Sequence, residues 1–209
     1  MHWDHVQGLP FFVPIHASGA RFDIYGPVTD DLGLRDAFDR FMCPPYFPIG
    51  IEDLAGDIRF HDLGDDELAI GDAKVRSRSV PHIGPTNGYR VELDGTSVAY
   101  VSDHQQPRDG SLDVADEVLE LCDGVDVLIH DAQFTDEEFG PKSHWGHCTI
   151  EYALVVAREA GAKRLVLFHH DPTHADDVID RIVCGAGASE HARHLDEVLA
   201  ASEGLTLSF

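Results

Sequence analysis

The sequence predicts an α/β layered fold on three observations: short strands recur along the chain, they dominate its first half, and helices separate the later ones. Arg21 to Tyr25 alternates apolar and polar side chains and ends at Gly26-Pro27. Ala73 to Val80 alternates and stops at Pro81. Asn87 to Leu93 and Thr96 to Ser102 are β-branched and aromatic, and Asp94-Gly95 between them predicts a hairpin turn. Val125 to Ile129, Arg164 to Phe168 and Leu205 to Phe209 complete the expected strands.

Helices are expected over Asp113 to Leu121, with Val114, Val118 and Leu121 on one face, and over Thr149 to Ala160. In the second, Ile150, Ala153, Leu154 and Ala157 share a face and Gly161 supplies a stop. Ala175 to Val183 and His191 to Ala201 are expected as two more. No internal repeat or low-complexity tract interrupts the chain, and Cys43 to Ile51 is too apolar for a flexible linker. A single domain over residues 1–209 is therefore expected.

Composition narrows the function. Hydrophobic residues make up 43% of the 209 residues, enough for a real core. No apolar run approaches the roughly 18 to 20 residues of a membrane span, and the first residues do not form a basic-then-apolar leader. Lys plus Arg total 15 against 38 Asp plus Glu, a formal charge of -23. That balance argues against a broad basic footprint for large nucleic acids and says little about a small-molecule or short phosphodiester substrate. A salty habitat would produce the same acidity. The four cysteines, Cys43, Cys122, Cys148 and Cys184, form no close pair, which fits free thiols and a cytoplasmic protein.

Histidine stands out: 14 in the chain, about three times ordinary usage. Their positions carry the argument. His2, Asp4 and His5 put three metal-ligand types within four residues, and alternate residues of an extended turn can project together. A polar terminal tail would have the same composition. More telling are the polar residues that follow strands: His82 after Val80-Pro81, Asp103-His104 after Val101-Ser102, His130-Asp131 after Ile129, and His169-His170-Asp171 after Phe168. In layered α/β folds, sites are built at strand ends. Adjacent strand residues face opposite ways, so only one of His169 and His170 can easily serve.

These segments resemble the metallo-β-lactamase superfamily, and within it the phosphodiesterase branch of tRNA 3′-end endonucleases (tRNase Z) and cyclic-phosphate phosphodiesterases. His2-Trp3-Asp4-His5-Val6-Gln7-Gly8 matches most of the signature His-x-His-x-Asp-His-x-x-Gly. Val80-Pro81-His82, Tyr100-Val101-Ser102-Asp103 and Leu165-Val166-Leu167-Phe168-His169 match ligand-bearing segments. His130-Asp131-Ala132-Gln133-Phe134 is similar to a His-Glu-Ala-Thr-Phe segment, and Gly146-His147-Cys148-Thr149 to a His-Ser-Thr segment.

The resemblance implies an αββα sandwich and a binuclear hydrolase working through a metal-bound hydroxide. It implies His2 and His82 on one metal, Asp4, His5 and His169 on the other, and Asp103 bridging, with zinc expected first and manganese as the alternative. Asp4 joins the catalytic set with His147, the general acid, which Asp131 orients. Asp131 stands where the branch usually has the longer Glu. His104 and His130 are expected to back the metal ligands or to be structural, His16, His61, His191 and His194 to lie at the surface, and His144 and His174 at a pocket rim. Lys142 and Trp145 could touch substrate or pack the loop.

The family signature carries one more His, two residues ahead of His2, and further strands before it. An N-terminally incomplete sandwich is therefore expected, from an internal start or a truncation, with weak binding of the first metal and poor stability or oligomerisation, for instance as a homodimer. Hydrolysis of another ester, amide or thioester, or a metal-binding scaffold without full activity, are the alternatives on this fold. An RNA substrate is the weaker sub-reading, because no Lys-rich insertion lies between His5 and His82.

Overall fold

The computed structural model describes residues 2–28 and 32–209. They fall into two compact units, Met1–Gly64 and Asp65–Phe209.

The first unit opens with a single helical turn, α1 (Trp3–Val6), followed by two short 3-10 turns. Strand β1 (Arg21–Gly26) pairs in parallel with β2 (Asp57–Asp62), from Arg21 opposite Asp57 to Gly26 opposite Asp62. Between them α2 (Leu34–Phe41) buries Leu34 and Phe38. Gly33 offers α2 no capping side chain, so the Asp62 carboxylate accepts the Leu34 N–H instead, at 2.7 Å. Ile15, Met42, Ile51 and Leu54 complete this small core.

The second unit holds the large sheet. Its strands are β3 (Glu67–Ile70), β4 (Ala73–Ser79), β5 (Asn87–Leu93), β6 (Thr96–Val101), β7 (Val127–Asp131), β8 (Arg164–Phe168) and β9 (Glu197–Ala200), in that spatial order. The first four pair antiparallel and the last four parallel. The β5–β6 hairpin turns at Asp94 (φ 52°) and Gly95 (φ 83°), the left-handed pair that an Asp-Gly turn requires. Parallel neighbours need crossovers, supplied by α3 (Asp116–Cys122), by α4 (Asp136–Lys142) with α5 (Ile150–Glu159), and by α6 (Asp176–Ala188). The core centres on α5. Thr149 caps it by accepting the Tyr152 N–H at 3.0 Å, and Tyr152 through Ala157 are all buried, among Leu128, Leu165 and Leu167 of the sheet. Each such large apolar side chain contributes about 1.5–3 kcal/mol.

The mixed α/β class agrees with the sequence reading, and two elements correct it. His191 to Ala201, expected as a helix, is a 3-10 turn (Glu190–Ala192) followed by β9. Leu195, Val198 and Leu199 fit helical spacing, but the open edge of β8 pairs with Glu197–Ala200 and outweighs that local preference. Leu205 to Phe209 alternates like a strand, yet it joins no sheet among the described residues, and Phe209 stays 65% exposed. The helix expected from Asp113 begins later, at Asp116.

Candidate active site

Strand direction gathers the site. β4 and β6 are both antiparallel to β5 and so run the same way, and β7 and β8 run parallel to β6. The carboxyl ends of β4, β6, β7 and β8 therefore share one edge of the sheet. His82 follows β4, Asp103 follows β6 and His169 follows β8, as expected. His130 and Asp131, expected just past a strand, are instead the last two residues of β7. Neighbouring strand residues face opposite ways, and the two side chains part accordingly. His130 Nε2 meets His104 Nδ1 at 2.9 Å, while Asp131 faces His147.

Asp103 lies between two histidines. Its Oδ1 is 3.8 Å from His82 Nε2 and 3.8 Å from His169 Nε2. His82 Nδ1 is 2.6 Å from the Gly146 carbonyl oxygen. A carbonyl only accepts, so this ring carries a proton on Nδ1, and in the neutral ring the lone pair falls on Nε2. Gly146 adopts φ +98°, and a Cβ there would collide with the His82 ring. On the other side, the Gln133 carboxamide nitrogen lies 2.9 Å from His169 Nδ1. A carboxamide can turn either its oxygen or its NH2 to that nitrogen, so it can also hold the tautomer with Nε2 unprotonated. His169 itself sits at φ 57°, a left-handed conformation that costs a histidine about 1–3 kcal/mol and is concentrated at functional sites.

The third component is a fully buried carboxylate. Asp131 Oδ2 accepts from His147 Nδ1 at 2.6 Å and from the His104 N–H at 3.3 Å. Its Oδ1 accepts the N–H groups of Gln133 at 3.1 Å and Cys148 at 3.4 Å. Asp131 thus engages the Nδ1 side of the His147 ring. That ring stacks on His169 with centroids 4.7 Å apart, and ligand atoms of Asp103, His147 and His169 all lie within 4.8 Å of one another. Cys148 offers no nucleophile. Burial, reinforced by Asp131, pushes its thiol well above the usual range, and the S–H donates to the Asp131 carbonyl at 3.1 Å. Burial likewise holds His104 and His130 low and uncharged, in keeping with a structural role.

Imidazole nitrogens with fixed tautomers around a carboxylate fit a divalent cation of the zinc or manganese kind. His82, Asp103 and His169 are the donors in this unit that would hold it. In the first unit His2 is the N-cap of α1, and Asp4 pairs with His5 at 3.5 Å. That segment was expected to be extended; it is a helical turn, with the His5 N–H bonded to the His2 carbonyl at 3.2 Å.

The remaining candidates separate cleanly. His170 turns elsewhere: both its ring nitrogens are buried without a partner, and neither joins the Asp103 group. His174, expected at a pocket rim, is tied to Glu138 at 2.9 Å with its side chain 5% exposed. Lys142 packs the loop, bonding Asp171 at 2.7 Å with its ammonium over Phe134. Sequence reading passed over Gln105, Gln133 and Gly146, whose contacts with the site cross 36 to 64 residues and left no local signal.

The family described as Beta-lactamase superfamily domain matches residues 1–170. The chain belongs to the β-lactamase superfamily. A ribonuclease Z of Halobacterium salinarum is 35% identical over 98% of this chain and 77% of its own length. Among solved structures, the short form of human tRNase Z superposes with a TM-score of 0.67 at 22% identity, covering 100% of this chain and 76% of that one. A diphosphatase from the PhnP family gives 0.68 at 20% identity, covering 100% and 68%. The superfamily match runs through His2, Asp4, His5, His82, Asp103, Asp131, His147 and His169, and the two superpositions share its fold.

Proposed function

We propose that this superfamily member is a metal-dependent phosphodiesterase acting on a small or short phosphodiester. The observation that supports it best is His147, held by buried Asp131 and turned toward Asp103 and His169. Phosphodiester cleavage needs a proton for the leaving oxygen. An imidazole with Nδ1 fixed on a carboxylate can bring that proton on Nε2 and be stabilised while it carries charge. Hydrolysis of a thioester has less need of such an acid, because a thiolate leaves without a proton.

His82, Asp103 and His169 would hold the cation, Asp103 bridging if two are bound, and the sequence motif assigns His2, Asp4 and His5 to the same role. Bound divalent cations supply Lewis-acid polarisation and a more acidic water. The chain's own residues do the rest. Gly146 and Gln133 hold the two histidine rings, Asp131 orients His147, and His147 delivers the proton. The absence of a membrane-length apolar helix among the described residues and the free thiols of all four cysteines are in keeping with a cytoplasmic enzyme.

An RNA substrate is the second reading, favoured by the ribonuclease Z relative. The charge of -23 and the lack of any lysine before Lys74 weigh against it. A panel of bis-p-nitrophenyl phosphate, a precursor tRNA, a lactam and a thioester, with zinc or manganese supplied, separates these readings. Turnover of the diester above all others is expected. Preferential cleavage of the tRNA would favour the second reading. Preference for the lactam or thioester would replace both, and inertness toward all four would leave a metal-binding scaffold.

A further inference from the structure

We propose that Gln105 is a positioning residue for this site, holding His82 from two sides and the His147 loop by its carboxamide. The inference rests on the metal-site reading above. Gln105 comes two residues after Asp103, where the chain leaves the end of β6. Its backbone N–H donates to the Pro81 carbonyl at 2.7 Å, fixing the residue before His82. Its side chain crosses to residues 143–147. Oε1 accepts the Gly146 N–H at 2.9 Å. Nε2 donates to the carbonyls of Gln106 at 2.6 Å, Ser143 at 3.0 Å and His147 at 3.3 Å.

These partners fix the amide's orientation, because an N–H needs the oxygen and three carbonyls need the NH2. They also converge on the two working histidines. Gly146, gripped at its nitrogen, is the residue whose own carbonyl takes the His82 Nδ1–H at 2.6 Å. Gly146 stands at φ +98°, a conformation that the Gln105 bond helps to hold. His147, gripped at its carbonyl, is the next residue. One glutamine thus joins the segment carrying Asp103 to those carrying His82 and His147. No charged or apolar side chain could serve an N–H and several carbonyls together. Outer partners of this kind typically alter metal affinity about 10- to 100-fold when removed.

The test is Gln105→Leu in the full chain, which keeps bulk, removes every polar contact of the side chain and leaves the backbone N–H bond to Pro81 in place. Zn2+ affinity by chelator competition is expected to fall about 10- to 100-fold while circular dichroism and the thermal midpoint report a folded protein. Independently of metal and activity, 15N NMR of the histidine rings in the metal-free protein is expected to show His82 protonated on Nδ1 in the wild type and in mixed tautomers in the variant. An unchanged Zn2+ affinity and an unchanged His82 tautomer in a folded Gln105→Leu would overturn the positioning role. If that variant does not fold, the wild-type Gln105 side-chain NH2 decides: protons protected from exchange support the role, and protons exchanging like those of a free glutamine overturn it. A wild type that turns over no phosphodiester, with the tautomer response intact, overturns the phosphodiesterase reading and leaves the positioning role standing.

Discussion

Nδ1 of His147 stands 2.6 Å from Oδ2 of Asp131, and Asp131 is wholly buried. The carboxylate fixes which ring nitrogen of His147 it engages, and so the orientation of the ring. If Nε2 protonates a leaving oxygen, its importance must grow with the basicity of that oxygen. His147→Ala is therefore expected to slow hydrolysis of an alkyl phosphodiester by about 10²- to 10⁴-fold, and that of bis-p-nitrophenyl phosphate far less, since p-nitrophenolate leaves without a proton. Steady-state rates on the two substrates check this; equal losses on both would remove the acid role.

Much of this was legible in the sequence, for a physical reason. His82, Asp103 and His169 follow strands whose alternating or apolar patterns are strong local signals, and shared strand direction then places them on one edge. Asp131 was legible as a residue but misplaced by two positions, because β7 runs on to include it. The N-terminal ligand cluster suggests an extended turn, yet it forms a helical one, since four residues carry no period to tell the two apart. Strand β2 and helix α2 were missed although Ile58 and Phe60 alternate and Leu34, Phe38 and Phe41 recur at helical spacing. What no local pattern could give is the set of glutamine and glycine contacts around the rings, which exists only once distant loops are brought together.

Asp131 also has a structural duty. Its two oxygens accept three backbone N–H groups, from His104, Gln133 and Cys148, besides the His147 ring. Asp131→Asn keeps the shape but replaces one accepting oxygen with an NH2 that faces donors. A loss of about 1–3 kcal/mol is expected, read from urea unfolding of the metal-free chain. A variant as stable as the wild type would show that these N–H groups find other partners.

Away from the site, Asp126 fastens the sheet. Its carboxylate accepts from Ser97 N at 2.7 Å, Ser97 Oγ at 3.0 Å and Lys163 Nζ at 2.7 Å. The Lys163 bond, with those from Ser97, holds its pKa at about 2, below the ordinary 3.8. A folded pKa below the unfolded one means stability that is present above about pH 4 and lost as pH falls toward 2. Asp126→Asn should then lower the urea midpoint at pH 7, and the gap from wild type should shrink between pH 4 and pH 2. A gap independent of pH would assign the effect to something other than the carboxylate's charge.

Asp103, between His82 and His169, is proposed to organise a cation site that cleaves phosphodiesters. The most direct measurement is the rate of bis-p-nitrophenyl phosphate hydrolysis by wild type and Asp103→Asn, each with saturating zinc or manganese. Turnover by the wild type and a loss of about 100-fold or more in the variant are expected, on the scale of removing a metal-site component. No turnover by the wild type, or equal turnover by both proteins, would contradict that role.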